Sequence, residues 1–288
     1  MVSRQRAILR LIQNDSGAVS RLRLVKLAFL LSREDGTPRA GIYDFVPYKR
    51  GPFSFTLYHE LRVLERDGWI TQAGNDLETV TLPDLETACL DKGFLAQIDS
   101  VSRRQRQVTT TAMVDAVYRD YPWFTMNSEV THKRAARRPI ALPAVYTVGY
   151  EGITVDALLD ILIRQGILRL IDVRSNPIAR RYGFHRSTLE KLCSDVGIEY
   201  VHYPELGVPS PWRSDLSNPG AHEQLFERYD KEILPRHRDA VRAVSRLVAD
   251  SPSALMCMEA NHLCCHRSRL GIEVSRLTSL PIAELREL

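Results

Sequence analysis

Hydrophobic residues in the first half of the chain recur at helical spacing, three or four positions apart. This pattern predicts amphipathic helices over residues 4–13, 21–32 and 55–67. Two short β-prone runs, at residues 68–71 and 79–82, follow the third helix and predict a pair of antiparallel strands. Helices followed by a small two-stranded wing are typical of a winged helix, so we expect a mainly helical winged-helix domain at the amino terminus.

The second half has a different pattern, in which short unbroken apolar runs end in charged residues or glycine. Strands are predicted at residues 145–148, 168–172, 199–203 and 254–258, and the apolar runs at 168–172 and 254–258 are typical of buried strands in a parallel sheet. Helical spacing between and after them predicts helices over residues 155–165, 187–196, 222–234, 237–249 and 270–277. Alternating strands and helices predict an α/β domain with a mostly parallel sheet and flanking helices.

The change of pattern divides the chain into two predicted domains. We place the winged-helix-like domain at residues 1–138 and the α/β domain at residues 145–288. Residues 139–144 are expected to be a linker, because Pro139 and Pro143 discourage helix and the periodicity changes after them.

Composition restricts the class of protein. The chain has 288 residues, of which 44% are hydrophobic and 26% charged, as in ordinary globular proteins. No apolar run approaches the roughly 18 residues that span a bilayer, and the amino terminus lacks the apolar segment of a signal peptide. We therefore expect a cytoplasmic protein with no membrane partner. The five cysteines, an odd number, fit reduced thiols better than a disulfide framework.

Positive charge is concentrated in the first domain. Residues 1–138 contain 21 Lys and Arg against 16 Asp and Glu, whereas the remaining residues contain 18 against 19. This asymmetry is typical of proteins in which one domain contacts nucleic acid, here double-stranded DNA. The predicted phosphate contacts are Arg62, Arg66, Arg103, Arg104, Arg106, Lys133, Arg134, Arg137 and Arg138. A solvated helix face and a basic linker that maintains solubility are the alternative explanations.

Polar residues follow four of the predicted strands, and parallel strands end at one edge of a sheet, where ligands collect. The expected site is therefore made of Tyr150, Glu151, Asp172, Arg174, Glu205 and Glu259, with Tyr203 as a further substrate contact. We expect Arg174 and Arg267 to hold a phosphate or carboxylate, although Asp172 could instead be an internal partner of Arg174. Glu259, beside apolar walls, is expected to have a raised pKa and to act as general acid or base. In the alternative, the Glu259 carboxylate is structural and pairs with Arg267 or accepts hydrogen bonds from backbone N–H groups.

The segment after the fourth strand is rich in cysteine and histidine, and three interpretations compete. Cys257, His262, Cys264, Cys265 and His266 have the composition of a metal site, but their spacing argues against zinc because adjacent residues cannot easily surround one ion. Cys265, beside His266, would be a nucleophile with a lowered pKa, as in rhodanese sulfurtransferases, but the Gly-containing loop is absent. We favour cysteines that pack, with no metal and no cofactor, and with Cys257, Cys265 and His266 lining the substrate site.

The first domain resembles the Panacea-type or prophage-antitoxin winged-helix domains over roughly residues 1–135. The matching motifs are Leu24-x-Lys26-Leu27, Tyr48-x-x-Gly51-Pro52-Phe53-Ser54 and Leu61-x-x-Leu64-x-x-x-Gly68-Trp69-Ile70. Such domains bind DNA or dock proteins, so the resemblance implies either role.

The second domain resembles the domain of unknown function 488 family over residues 145–285. The matching motifs are Thr147-Val-Gly149-Tyr150-Glu151-Gly152, Ile171-Asp172-Val173-Arg174-x-x-Pro177, Gly197-Ile-x-Tyr200, Leu206-Gly207, Met256-Cys257-x-Glu259 and Cys265-His266-Arg267. The sequence departs from the commoner form by carrying His262 and Cys264. The resemblance implies an α/β domain whose site is built from these strand ends.

Together these features predict a DNA-binding hydrolase for DNA repair or modification, acting at a modified or damaged base. In the favoured reaction the N-glycosidic bond is cleaved at a site formed by Glu259, Asp172, Arg174 and Tyr150. Glu259 or Asp172 would activate water, and Tyr150 or Tyr203 would stack on an extruded base. The main alternative is a winged-helix regulator whose second domain senses an anion or an oxidant. A nuclease, for which the carboxylates are sparse, and a sulfurtransferase are further alternatives. The oligomeric state is left open.

Overall fold

The computed structural model describes residues 2–15, 18–34, 42–74, 76–79, 90–213 and 220–286. The chain divides into two compact units, Met1–Arg137 and Arg138–Leu288. In the part of the chain that the structure describes, no helix is both long enough and apolar enough to cross a membrane.

The first unit is mainly helical within its described residues. Its helices are α1 (Ser3–Asn14), α2 (Arg21–Ser32), α3 (Phe55–Arg66), α4 (Lys92–Gln105) and α5 (Thr110–Asp120). Its strands are β1 (Ala18–Ser20), β2 (Val46–Tyr48), β3 (Gly51–Phe53), β4 (Ile70–Ala73) and β5 (Asp76–Thr79). Strands β1, β5 and β4 form an antiparallel sheet in that order, and β2 pairs with β3 as a hairpin.

Helices α2 and α3 begin where the sequence supplies a capping hydroxyl. The Ser20 hydroxyl accepts a hydrogen bond from the N–H of Arg23 at 3.3 Å, and the Ser54 hydroxyl accepts one from the N–H of Leu57 at 3.2 Å. Helices α1, α2 and α3 turn their apolar faces to a common core around Phe29. The three predicted helices are confirmed, with each end within one residue of its predicted position.

The small sheet of the first unit differs from the prediction. It includes β1, which has three residues and is too short to show an alternating pattern. The turn between β4 and β5 also comes earlier than predicted, because Ala73 already pairs with Asp76. The second predicted strand, at residues 79–82, is therefore displaced, and residues 80–82 lie outside the described residues.

Within its described residues, the second unit contains a five-stranded sheet flanked by helices. The strands are β6 (Val145–Gly149), β7 (Arg169–Asp172), β8 (Glu199–His202), β9 (Ser253–Cys257) and β10 (Ile282–Glu284). The helices are α6 (Val155–Arg164), α7 (Arg186–Asp195), α8 (Ala221–Arg228), α9 (Leu234–Arg236), α10 (Arg238–Asp250) and α11 (Arg267–Thr278). The strand order is β10-β6-β9-β7-β8, and every neighbouring pair is parallel, which confirms the predicted parallel α/β architecture.

The order of the strands places the predicted apolar runs in the middle of the sheet. Strands β7 and β9 are buried along their whole length, as expected for parallel strands covered by helices on both faces. The carboxyl ends of β6, β7, β8 and β9 meet at one edge. Strand β10 was not predicted, because its three residues follow Pro281 and begin with the exposed Ile282.

The segment predicted as one helix over residues 222–234 is interrupted. After α8, Tyr229–Ile233 form a π-helical turn that leads into α9. Pro235 has no N–H to donate, and its ring crowds the carbonyl four residues earlier, so a regular α-helix cannot continue here. The hydroxyl of Tyr229, which the turn carries into the interior, donates to the carbonyl of Leu206 at 2.7 Å.

The predicted linker, residues 139–144, and Arg138 before it belong to the second unit. The guanidinium of Arg138 donates to backbone carbonyls that include those of Ile167 at 2.7 Å and Val196 at 2.9 Å. The N–H of Ala141 donates to the carbonyl of Gly166 at 3.1 Å. Arg138, which was predicted to contact nucleic acid, is therefore engaged inside the protein.

Candidate functional site at the carboxyl edge of the sheet

Backbone contacts hold the end of β6 against the loop that follows β9. The N–H groups of Tyr150 and Glu151 both donate to the carbonyl of Met258, at 3.1 and 2.8 Å. At Gly149, a Cβ atom would lie 2.0 Å from the carbonyl oxygen of Glu259, so only glycine permits this approach. The polar residues that follow β6 and β9 are therefore neighbours at this edge.

Asp172 and Arg174, at the end of β7, form a buried ion pair in which Arg174 is 4% exposed. Arg174 Nε lies 2.9 Å from Asp172 Oδ1, and Nη2 lies 2.6 Å from Oδ2. The Tyr200 hydroxyl donates to Oδ2 at 2.6 Å, and Arg174 Nη1 donates to the Tyr150 hydroxyl oxygen at 2.9 Å. We call Asp172, Arg174, Tyr150 and Tyr200 the Asp172 cluster.

The protonation of this cluster follows from burial and pairing. Desolvation disfavours the charge on Arg174, but hydrogen bonds to Asp172 and its negative charge outweigh this effect and raise the Arg174 pKa. Burial raises the pKa of Tyr200, and the charge of Asp172 raises it further. Burial also raises the pKa of Tyr150. Arg174 therefore stays charged at neutral pH, and both phenols stay protonated.

These contacts revise the roles predicted for three residues. Arg174 donates to both oxygens of Asp172, to Tyr150 and to the carbonyl of Phe184, and it has no exposed face to offer an anion. The geometry therefore supports the alternative in which Asp172 is an internal partner. Tyr150 is 8% exposed and stacks on Phe184, with ring centroids 4.2 Å apart, so its ring is not open to an extruded base. Asp172, Arg174 and Tyr150 support the site from inside.

A second group of side chains gathers around His266, which directly precedes α11. The Sγ atoms of Cys257 and Cys265 and the Nδ1 atom of His266 all lie within 4.8 Å of one another. Nδ1 is 3.8 Å from the Cys257 sulfur and 3.9 Å from the Cys265 sulfur. The Cys257 thiol donates to Glu259 Oε2 at 3.1 Å. We call Cys257, Glu259, Cys265 and His266 the thiol–histidine cluster.

Glu259 is half-buried, and its pKa is lowered, where the sequence led us to expect a raised value. Burial alone acts to raise the pKa, but hydrogen bonds from Cys265, from the backbone and from Cys257 are the main causes that lower it more. The carboxylate stays ionised at neutral pH and suits a base better than an acid. Burial and the proximity of Cys257 raise the pKa of Cys265, so this thiol is not the activated nucleophile that sulfur transfer requires.

Arg267 and Glu151 hold the loop that carries Glu259. Arg267 is fully buried and donates to the carbonyls of Glu259 and, at 3.1 Å, of Ala260. Glu151 accepts a hydrogen bond from the N–H of Ala260 at 3.0 Å. Arg267 is therefore not available to bind an anion together with Arg174. It contacts the backbone carbonyl of Glu259 rather than the Glu259 carboxylate.

Some residues of this edge were not predicted from the sequence. The ring of Tyr229 lies 5.3 Å from that of His266, centroid to centroid, and the Val173 carbonyl faces His266 Nε2 at 3.0 Å. The sequence also did not reveal Tyr200 as a partner of Asp172. In the strand register Asp172 pairs with His202, so Tyr200, two residues earlier on β8, lies on the same face of the sheet as Asp172. Only the register, which the sequence does not give, reveals that contact. Tyr203, which was predicted, is half-buried and packs against the apolar core of the second unit.

The basic residues predicted to bind nucleic acid differ in how they are engaged. Arg62, Arg103, Arg106 and Arg137 are exposed. Arg66 pairs with Asp67, Arg104 with Glu34 and Lys133 with Asp115, and Arg134 donates to the carbonyl of Ser128 at 2.6 Å. Surface ion pairs contribute little and exchange partners readily, so Arg66, Arg104 and Lys133 remain compatible with phosphate contact.

A cavity of about 480 Å³ lies among the π-helical turn, α9, α10 and α11. Arginines line it together with Asp230 and Glu273, and two of the arginines form ion pairs with those acids. No residue of the Asp172 cluster or of the thiol–histidine cluster lines this cavity. We place the candidate site at the sheet edge, because that is where the chemically active groups converge.

The fold and the site define a parallel α/β domain with two cysteines, a histidine and a glutamate clustered at one sheet edge. A family model described as "Domain of unknown function DUF488" matches residues 154–271, a range that lies within the second unit. The matched range includes the whole thiol–histidine cluster and does not extend into the first unit. No curated protein and no solved structure matches the chain.

Proposed function

We propose that the second unit is a hydrolase that cleaves the N-glycosidic bond of a modified or damaged base in DNA. The observation that carries the proposal is Glu259, a half-buried carboxylate that stays ionised at the edge of the sheet where the strands end. An ionised carboxylate in a partly dry site is the group that such a reaction needs, because positive charge develops on the sugar as the base departs.

In the proposed reaction, Glu259 accepts a proton from a water molecule that attacks the sugar carbon. The bond between that carbon and the base breaks, its electron pair leaves with the base, and the base takes a proton from solvent. Arg267 and Glu151 would keep the Glu259 loop in position, through the carbonyl and N–H contacts described above. The Asp172 cluster would keep the end of β7 rigid beneath the site.

We propose that the first unit is a winged-helix domain that binds double-stranded DNA. The order α1, β1, α2, α3, β4, β5, with the β2–β3 hairpin inserted between α2 and α3 and an antiparallel sheet of β1, β5 and β4, supports this proposal. The exposed arginines, among them Arg62 and Arg137, would contact phosphates. Such contacts weaken as the salt concentration rises, because the counterions that binding displaces from the DNA are then released less favourably. A cytoplasmic location is part of the proposal.

The experiment is an incubation of the full chain with plain, uracil-containing and hydroxymethylated duplexes, each with and without EDTA. We expect released base and alkali-labile sites on one modified duplex, and loss of this activity in Glu259→Gln. The matched control is Glu190→Gln, at an exposed position on α7, which should leave the rate unchanged. Strand breaks that form before alkali treatment would indicate a nuclease. The absence of released base and of cleavage on every duplex would remove the hydrolase.

A redox-sensing regulator is the second candidate, favoured by the proximity of the Cys257 and Cys265 sulfur atoms. The anion-sensing form has less support, because Arg174 and Arg267 are used inside the protein. In a regulator, oxidation would change DNA affinity, and Glu259→Gln would leave that response intact. A sulfurtransferase has less support too, because of the raised pKa of Cys265.

A further inference from the structure

We propose that Cys257, Cys265 and His266 bind one zinc ion. The three side chains are almost completely buried, with exposures of 1%, 1% and 3%. They come from two separate segments, the end of β9 and the residue pair before α11, which the loop at residues 258–264 brings together. This return of the chain is why the sequence spacing, which argued against zinc, did not reveal the site.

The orientation of His266 is that of a metal ligand. Its Nε2 lies 3.0 Å from the carbonyl oxygen of Val173, which can only accept, so Nε2 carries the proton. Nδ1 then carries the lone pair, and this lone pair faces the sulfur atoms of Cys257 and Cys265 in long, weak contacts. A backbone carbonyl that fixes the distal ring nitrogen is the usual support for a histidine bound to zinc.

The distances fit a tetrahedral ion after a small contraction. Zinc–sulfur bonds of about 2.3 Å and zinc–nitrogen bonds of about 2.0 Å place sulfur and nitrogen about 3.5 Å apart at the tetrahedral angle. The observed separations from Nδ1 are 3.8 Å for Cys257 and 3.9 Å for Cys265. Each sulfur–nitrogen separation therefore has to contract by only a few tenths of an ångström, and the two sulfur atoms already lie within 4.8 Å of each other.

The donor types select the metal. Two thiolates and an imidazole favour zinc over magnesium or calcium, which prefer oxygen ligands. On binding, the ion replaces the two thiol protons, which are released to solvent, and the two thiolates balance its charge. Glu259 lies beside Cys257 but outside the set of mutually close ligand atoms, so we assign the fourth position to water.

The test is a zinc titration of the full chain after removal of bound metal with a chelator and reduction of the thiols. We expect one zinc per chain, and cobalt(II) in its place should give the absorption bands of tetrahedral thiolate ligation. Cys257→Ser and Cys265→Ser should each weaken zinc binding by about a hundredfold or more. The matched controls are Cys264→Ser, at the exposed neighbouring cysteine, and Cys193→Ser, at a buried cysteine outside the cluster; both should bind zinc normally.

Misfolding is separated from ligand loss by far-ultraviolet circular dichroism and by melting each variant with and without zinc. A folded Cys265→Ser protein whose melting temperature no longer rises with zinc supports the site, even when Cys257→Ser does not fold. Absence of stoichiometric zinc in the reduced wild type, or zinc binding that survives both substitutions, would overturn the proposal. The zinc site stands independently of the hydrolase, because Glu259→Gln should abolish base release and still bind zinc.

Discussion

The two clusters at the carboxyl edge of the sheet lie in one unit and differ in how completely their polar atoms are paired. In the Asp172 cluster, the carboxylate accepts hydrogen bonds from Arg174 and Tyr200, and Arg174 finds further acceptors in Tyr150 and a carbonyl. In the thiol–histidine cluster, Cys257 donates to Glu259 at 3.1 Å, and Nδ1 of His266 meets the two sulfur atoms only in weak contacts of 3.8 and 3.9 Å.

This difference suggests that the Asp172 cluster supports the structure of the edge and that the thiol–histidine cluster can bind a ligand. A fully paired buried network is rigid and has nothing left to offer a ligand, whereas a group of weakly paired soft donors retains affinity for one. The charged residues of the first cluster look more reactive in the sequence than the cysteines of the second. The contacts reverse that impression, and the comparison can be tested by removing one member of each kind.

The largest effect is expected for Asp172→Ala. The substitution leaves the Arg174 guanidinium buried without its counter-ion, so we expect a loss of about 3–5 kcal/mol in the free energy of unfolding. Urea denaturation followed by circular dichroism measures it. Glu190→Ala, at an exposed position on α7, is the control and should cost about 0.5 kcal/mol or less. An Asp172→Ala protein as stable as this control would mean that the ion pair does not support the edge.

Tyr200→Phe should have a smaller effect. It removes the hydroxyl that donates to Asp172 Oδ2, but that oxygen keeps its bond from Arg174, so we expect a loss of about 1–2 kcal/mol. Tyr146→Phe is the matched control, because its hydroxyl donates to the Leu142 carbonyl in an exposed position. Equal costs for the two substitutions, in the same urea experiment, would show that burial does not strengthen the Tyr200 bond.

The sequence predicts the strands that form this edge better than the side-chain contacts between them. The strands β6, β7 and β9 were predicted because their apolar runs are unbroken, and β1 and β10 were missed because three residues carry no readable period. Asp172 as a partner of Arg174 was open as an alternative, since the two are separated by one residue. The direction of the Glu259 pKa was predicted wrongly, because the donors that lower it are thiols that only the folded loop brings near.

The smallest effect on stability is expected for Arg137→Ala. Arg137 and Arg138 are adjacent, and they extend the comparison between exposed groups and groups that are hydrogen-bonded inside the protein. Arg137 is exposed, whereas Arg138 donates to carbonyls of the second unit. If the first unit binds DNA, Arg137→Ala should leave the free energy of unfolding within about 0.5 kcal/mol and reduce the salt dependence of DNA affinity by about one phosphate contact. Arg138→Ala should instead cost about 1 kcal/mol in stability and leave the salt slope unchanged.

Fluorescence anisotropy with a labelled duplex at several salt concentrations measures the slope. Equal slopes for the wild type and both variants would mean that exposure at this position does not identify a DNA contact.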